Sequence, residues 1–590
     1  MSTNSSDLTS CSKVFALPEI CERISYSIDN KTITSCLRVN REWNASWLPI
    51  LWHTIDAGHQ WHNPAFVNAL GEHGDLVRIL KCTRYDDISP LLRTDKTICR
   101  NLVTIVLPKT TLVNQSDHIQ LLRQNPHIRD LSLGLHDDNA SLYTELVNAV
   151  GELRNLRRLA LDENKILDVN TLETILSKCN GSLRELSLKG TYFIKHPFGS
   201  GNGFASGFLA CSKSESQLGT ELITNDVEID SKETFGIMSL CLEGVVCTQD
   251  LILNLASRFP LLSHLSLKGS MEVYFSKNFP ERLAKRCPKI KNIDISSTED
   301  IDDDTIASLV GSFPGLQTFR ASETRFGNES FSTLVEHCRD LTVLEINSTC
   351  QIQGQVIQQL FEKCWALRSL DAWDVSANVV EMMMEVYGGG KTVGATDAKN
   401  RVTVDGSITQ TESSLKNIRG QWVCRGIERL VLRFDYDPSE LSEESEQLYP
   451  ASRARRFIYE QLSKLTKLKY LAIGGTLSTT WQMCGRGDET DEKDNSTLDD
   501  QPTFDISDDI WIDFSLRSGL FLLSPLKELR TLCLSAMDHA IGLPEIIWIS
   551  ENWPNLKSIE GLYEDDDEDV VNWLRENRPD IEIRNEDDGY

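Results

Sequence analysis

The chain has 590 residues, 40% hydrophobic and 25% charged, with a formal net charge of -27. Those proportions are ordinary for a soluble folded protein, and no run approaches the ~18 consecutive apolar residues of a membrane span. Two windows hold two thirds of the charge, 485–513 with eleven acids against two bases and 564–590 with twelve against three; the mildly acidic remainder argues against duplex DNA or an anionic membrane as partner, since phosphate binding relies on Lys/Arg neutralisation.

The chain is longer than the roughly 250–300 residues at which single hydrophobic cores stop growing, so several domains or one long repeat array are required. Sixteen Cys lie scattered without CxxC pairs or His/Cys clusters at zinc spacing, and are read as reduced thiols with no metal site. Residues 1–13 are polar and Ser/Thr-rich with no apolar secretory stretch, which predicts a short disordered arm and a cytosolic or nuclear address.

Residues 14–55 place apolar side chains at helical spacing. Pro18 suits a first helical turn, and Ile20, Ile24 and Ile28 then share one face. A second helix is predicted to begin near Asn30 to Thr32, presenting Ile33, Cys36, Leu37 and Val39, and Trp43, Trp47, Leu51 and Trp52 complete a three-helix cluster. Forty residues are too few to bury all of this alone, so part of the apolar surface is assigned to a partner. The segments Leu17-Pro18-Glu19-Ile20, Val39-Asn40-Arg41-Glu42-Trp43 and Leu51-Trp52 resemble an F-box. The acid follows Pro18 directly, and Asn40 stands where that family often has Cys or Ser.

Residues 56–100 are read as a linker with a degenerate first repeat at Leu76-Ile79, and 101–585 as a repeat array. The frame L-x-x-L-x-L is clearest at Leu156-Leu159-Leu161 and recurs from Leu102-Ile105-Leu107 through Leu262-Leu265-Leu267 to Leu556-Ile559, spaced 25 to 28 residues where uninterrupted. The fourth and sixth positions share one face of a short strand at period two. Between strands the period turns helical, at 248–259, 303–313, 328–338 and 353–364, with Asp, Asn or Thr near the starts. Cys287, Cys338 and Cys364 stand three residues before a frame, where Phe259 and Phe313 stand elsewhere, and are read as inert core-fillers at helix ends. The ninth position is mostly hydroxylic, with Ser270, Thr298 and Thr324 among others, and is expected to bond only partially to the turn backbone.

Four longer spacings mark insertions near 192–236, 374–426, 434–465 and 474–527, Gly-, Ser- or charge-rich in part. Residues 564–590 are read as an acidic C-terminal cap and tail, containing a last helix and a short strand.

With its repeats, the whole chain resembles the leucine-rich-repeat class of F-box proteins, especially divergent fungal ones. The fold implied is an α/β solenoid, a horseshoe with a parallel inner sheet and outer helices behind a small three-helix F-box. The function implied is that of a non-catalytic substrate receptor in a cullin–RING (SCF-type) E3 ubiquitin ligase. Its F-box would dock on a Skp-type adaptor, and through it a cullin, while the repeats hold a protein substrate. Carried over to this chain, the adaptor contacts are Leu17, Pro18, Ile20, Ile24, Leu37, Val39 and Trp52, whereas Ile33 and Trp43 are read as local packing.

On the inner sheet the third and fifth frame positions face outward. From these the substrate-binding candidates are Arg158, His264, Asp294, Arg320, Glu345 and Asp371, with Trp373 just beyond as the hot spot. This surface is mixed in sign without a basic stripe or stacking aromatics, which argues against nucleic acid. No cofactor is expected, and there is no phosphate loop, nucleophile elbow or HExxH to suggest an enzyme. The alternative is a leucine-rich-repeat scaffold or GTPase-regulator-like protein without ligase association, in which 14–55 merely caps the first repeat.

Overall fold

Successive side chains of a strand face opposite ways, so a frame with apolar residues at its fourth and sixth positions tolerates one register only. In the computed structural model that register holds from rung to rung. The structure describes residues 18–56, 63–82, 99–107, 115–134, 140–162, 169–179, 181–190, 234–270, 275–298, 301–347, 352–387, 420–436, 450–473, 512, 514–534, 539, 541–562 and 568–584. The chain divides into two units, Met1–Ser263 with Ser270–Glu272, and His264–Gly269 with Val273–Tyr590.

The first unit opens with helices α1 (Pro18–Ser25), α2 (Asn30–Cys36) and α3 (Arg41–His53). Asp29 and Asn40 start the last two, each accepting a helical N–H, from Thr32 and Trp43, at 2.8 Å. Strands follow as β1 (Thr54–Asp56), β2 (Ile79–Lys81), β3 (Thr104–Leu107), β4 (Asp130–Gly134), β5 (Arg158–Asp162), β6 (Glu185–Lys189) and β7 (Ser239–Glu243). They pair in parallel and in chain order, aligning Leu80, Ile105, Leu131, Leu159, Leu186 and Leu240 in one buried row.

Two sequence expectations are corrected here. The degenerate first copy is Val77-Leu80-Cys82, one residue later than Leu76-Ile79, because Leu80 aligns with Ile105 and all three side chains are buried. A one-residue slip would turn that set to the opposite face. The sheet also starts one strand earlier: β1 begins inside the segment bounded as 14–55, directly after α3, and pairs with β2.

The second unit carries β8 (His264–Ser266), β9 (Asn292–Asp294), β10 (Thr318–Arg320), β11 (Val343–Glu345), β12 (Ser369–Asn378), β13 (Arg429–Asp435), β14 (Tyr470–Ala472), β15 (Thr531–Cys533), β16 (Ser558–Glu560) and β17 (Glu582–Arg584). These too are parallel and sequential, and β12 pairs directly with β13 despite the long spacing between them. Within each unit the architecture is thus an α/β solenoid of the leucine-rich-repeat type.

The four helical stretches form helices at Gln249–Ser257, Asp303–Ser312, Asn328–His337 and Gly354–Lys363. Asp303 joins two repeats: its carboxylate accepts the Gly327, Glu329 and Ser330 N–H groups at 2.9 to 3.1 Å, satisfying donors at the start of the next helix. Cys287, Cys338 and Cys364 are fully buried at helix C-caps, and burial pushes their thiols up to about 12, 12 and 11, which leaves no reactive thiolate. The ninth-position hydroxyls do more than cap their own turns. Ser270 donates to the Leu242 carbonyl at 2.9 Å and Thr298 to that of Leu267 at 3.1 Å, the sixth residue of the preceding repeat, while Thr324 bonds within its own turn.

Three insertions are shorter than their spacings imply. The range 374–426 includes the end of β12 and the helix Val379–Tyr387, the range 434–465 includes the helix Ala451–Leu462, and 474–527 includes a short 3-10 turn at Leu520–Leu523. These supply the helical layer of their own repeats. Most of 192–236 and the acidic window 485–513 lie outside the described residues, as does the arm 1–13. The C-terminal segment contains the helix Glu568–Asn577 and strand β17. Among the described residues no helix is long and apolar enough to cross a membrane.

Two stability predictions follow from this packing. A Cβ on Gly354 would stand 2.1 Å from the Asn378 carbonyl oxygen at the end of β12, whereas one on Gly315 meets nothing within 4 Å. Urea unfolding should therefore show Gly354→Ala losing about 2 kcal/mol and Gly315→Ala staying within about 0.5 kcal/mol of wild type. His118 is buried, and burial, only partly offset by Asp117, lowers its pKa from 6.5 to about 4. The unfolded chain therefore binds this proton first as pH falls, and stability drains between pH 6.5 and about 4, by at most about 3 kcal/mol. His118→Gln should flatten that part of the stability–pH curve relative to wild type; an unchanged slope would refute the assignment.

Candidate partner-binding surfaces

The helical cluster of the first unit has a small core, Cys21, Ile33 and Trp47, against which Ile24, Ile28, Cys36, Leu37, Trp43, Ile50 and Leu51 pack while remaining partly accessible. Ile33 and Trp43 therefore pack as expected, the Trp43 ring lying 6.3 Å from that of Trp47. Of the adaptor-contact candidates, Ile24 and Leu37 border this core, Ile20 is half-buried on α1, and Val39 is 58% exposed between α2 and α3. Pro18 begins α1, and Leu17 lies outside the described residues. Trp52 points elsewhere: its ring stacks on Phe66 at 6.5 Å and lies 5.2 Å from the His73 ring, both on the helix Pro64–His73. It therefore joins the helices to the start of the sheet.

The sheet-face candidates lie on their strands where the frame put them, Arg158 on β5 of the first unit and His264, Asp294, Arg320, Glu345, Asp371 and Trp373 on β8 to β12 of the second. Charges there pair along the rungs: in the first unit Arg158 with Glu185 at 2.5 Å, in the second Arg320 with Glu345 at 2.6 Å. Asp294 accepts the Ser296 N–H at 3.0 Å, and His264 is exposed on β8. Such accessible pairs contribute little stability, roughly 0–1 kcal/mol each, but they fix where charge is presented.

Asp371 and Trp373 belong to a denser arrangement that continues beyond the insertions. Arg429 donates to Asp371 at 2.9 and 3.0 Å through two nitrogens, and its guanidinium lies 3.9 Å over the Tyr470 ring. The Tyr470 hydroxyl donates to Glu560 at 3.0 Å. Burial opposes the Arg429 charge, yet Asp371 holds its pKa above the ordinary value; burial, with Cys533 and Glu560 nearby, raises that of Tyr470. Both groups thus keep their protons, and neither is a base or nucleophile at neutral pH.

Beneath them lies an apolar floor. Val431, Ala472 and Cys533 occupy outward fifth positions but are only 0%, 2% and 3% exposed, packed against Trp373 and Tyr470. Trp373 is thus half-buried at the edge of a chain-built cluster, its backbone N–H donating to the Asn347 side-chain oxygen at 3.0 Å. Sequence reasoning stopped the outward columns at Asp371 and so missed Arg429, Tyr470 and Glu560. The same frame at Ile427, Leu468 and Leu556 carries the signal, since counting to its third and fifth positions lands on these three residues.

No protein-family model matches the chain, and no curated protein matches it. Among solved structures, an internalin of Listeria monocytogenes aligns at TM-score 0.32 and 12% identity over 80% of this chain and 86% of its own. A chain of the yeast Rad7–Elc1 complex aligns at TM-score 0.27 and 15% identity, over 64% of this chain and 94% of its own.

If Tyr470 covers the floor, Tyr470→Ala should raise the alkylation rate of Cys533 by about tenfold, read by peptide mass mapping, because a buried thiol becomes accessible. Tyr470→Phe keeps the ring and should leave the rate near wild type. Equal labelling in all three proteins would show that something else covers Cys533.

Proposed function

We propose that the chain is a non-catalytic substrate-recognition subunit of a cullin–RING ubiquitin ligase, binding a Skp-type adaptor through residues 14–55 and a protein substrate through the repeats. The observation that carries the reading is the three-helix cluster itself. It buries only Cys21, Ile33 and Trp47 completely, and leaves Ile20, Ile24, Leu37 and the 58% exposed Val39 available around them. So small a core favours completion by a partner. The repeats contribute Trp373, Arg429 and Tyr470 together on one face, the residue types in which interfaces concentrate energy. Asp294, Arg320, Glu345 and Asp371 extend that polar surface over neighbouring strands.

One observation favours the second reading, a scaffold in which the helices are only a cap. Strand β1 follows α3 directly and pairs with β2, and Trp52 packs on the next helix, as a cap would require. Co-purification of the tagged full chain decides between them. The receptor reading expects an adaptor and cullin with wild type and their loss in Leu17→Asp/Pro18→Ala, with circular dichroism unchanged. A folded wild type that captures neither leaves the cap reading.

A further inference from the structure

The second position of the repeat frame, just before each strand, lies along the side of the repeats where helices return to strands. In the first unit Arg129, Arg157 and Arg184 occupy it in three consecutive repeats, each exposed. Their backbones are hydrogen-bonded to one another: the Arg157 N–H donates to the Arg129 carbonyl at 2.7 Å and the Arg184 N–H to the Arg157 carbonyl at 2.8 Å. Three cations are thereby stacked at about 4.8 Å per rung, an arrangement that like-charge repulsion disfavours. With Asn155, Gly181 and Ser182 they line a recess of about 340 Å³.

No carboxylate among the residues lining this recess answers its three stacked cations. In the second unit three second-position cations meet carboxylates: Lys469 pairs with Glu428 at 2.5 Å, Arg368 approaches the same carboxylate at 3.9 Å, and Lys557 reaches Asp580 at 3.4 Å. Arg184 donates instead to the Leu183, Gly181 and Gly236 carbonyls at 3.1 to 3.3 Å, which fixes its guanidinium without neutralising it. Among the described residues Arg129 and Arg157 have no side-chain partner, and no carboxylate lines the recess. The lining is thus rich in donors, with no acidic side chain.

Three guanidiniums at rung spacing suit one compact anion of high charge, since their planar forks bind phosphoryl oxygens two at a time. The volume is at the low end for ligand sites and holds a single group of that size. Three cations on an otherwise acidic chain do not make the extended basic track that a nucleic acid needs. We propose that this recess binds a phosphoryl group, supplied by a phosphorylated serine or threonine of a partner protein or by a small soluble phosphate ester. The proposal does not rest on the adaptor reading and is tested without an adaptor.

The test titrates the full chain with a fluorescent degenerate phosphoserine/phosphothreonine peptide pool, with its unphosphorylated counterpart, and with inorganic pyrophosphate by calorimetry. The phosphorylated pool should bind at least about tenfold more tightly than its counterpart and be displaced by pyrophosphate. Arg157→Gln and Arg129→Gln should each cost about tenfold or more, whereas Lys291→Gln, at the second position of a repeat in the other unit, should bind as wild type. Because neither arginine side chain holds another residue, both variants should keep the wild-type circular dichroism. Pyrophosphate binding that Arg157→Gln weakens, without preference for the phosphorylated pool, supports the site and identifies the source as a small ester. Absence of binding by both phosphorylated probes, or undiminished binding in both arginine variants, overturns the proposal.

Discussion

Everything in this chain depends on the alignment of one apolar residue per repeat, the fourth of the frame, with its counterpart in the next parallel strand. In the second unit the row runs from Leu265 through Ile293, Phe319, Leu344 and Leu370 to Leu430, Leu471, Leu532 and Ile559, all at most 2% exposed. Burying such side chains contributes about 1.5–3 kcal/mol each, and a slip of one residue would forfeit the whole row. That penalty is why the sheet tolerates long interruptions. The strand after an insertion has one register in which it can bury its leucines, so β12 and β13 meet in the same frame as strands separated by a single helix.

Once that row is fixed, the remaining frame positions become parallel columns with separate tasks. The sixth position and the ninth-position hydroxyls join adjacent repeats from within, as Thr298 does to Leu267. The third and fifth form a surface where charges meet across rungs, and the second forms a line at its border. Helix starts add a further lateral bond, since Asp303 satisfies donors of the following helix and Glu381 accepts from Gly354. A side chain's role is therefore set by its place in the frame before its chemistry is considered. Cysteine illustrates this: at the helix end Cys338 is inert filling, whereas Cys533, at an outward fifth position, is buried with Val431 and Ala472 in a cluster against which Tyr470 and Trp373 pack.

This explains what could be read in advance. Period-two and helical patterns are local, so strands, helices, the fold class and the outward positions of Arg158, His264 and Arg320 were legible. The first copy at Val77-Leu80-Cys82 was misread by one residue because Leu76 and Ile79 imitate the frame, and only pairing with β3 distinguishes them. The insertions were over-extended because the helix Ala451–Leu462, with its RARR run, and the helix Val379–Tyr387 do not follow directly on a recognised strand end. The Asp371–Arg429–Tyr470–Glu560 chain of contacts was invisible as a unit, since its members are 58, 41 and 90 residues apart in sequence and meet only because the frame resumes.

The same logic bears on which surfaces are available to partners. A column whose charges are already paired, such as Arg320 with Glu345, offers a partner a dipole, and using either group requires competing with the other. A cation without a counter-charge carries the opposite bias, because an incoming anion relieves repulsion that the folded chain otherwise bears. The repeats therefore present two kinds of surface chemistry. One is an aromatic and guanidinium face over an apolar floor, at Trp373, Arg429 and Tyr470, suited to side chains that bury area. The other is the arginine recess of the first unit, suited to charge. Neither needs a special fold of its own, since each uses positions that the buried row leaves at the surface.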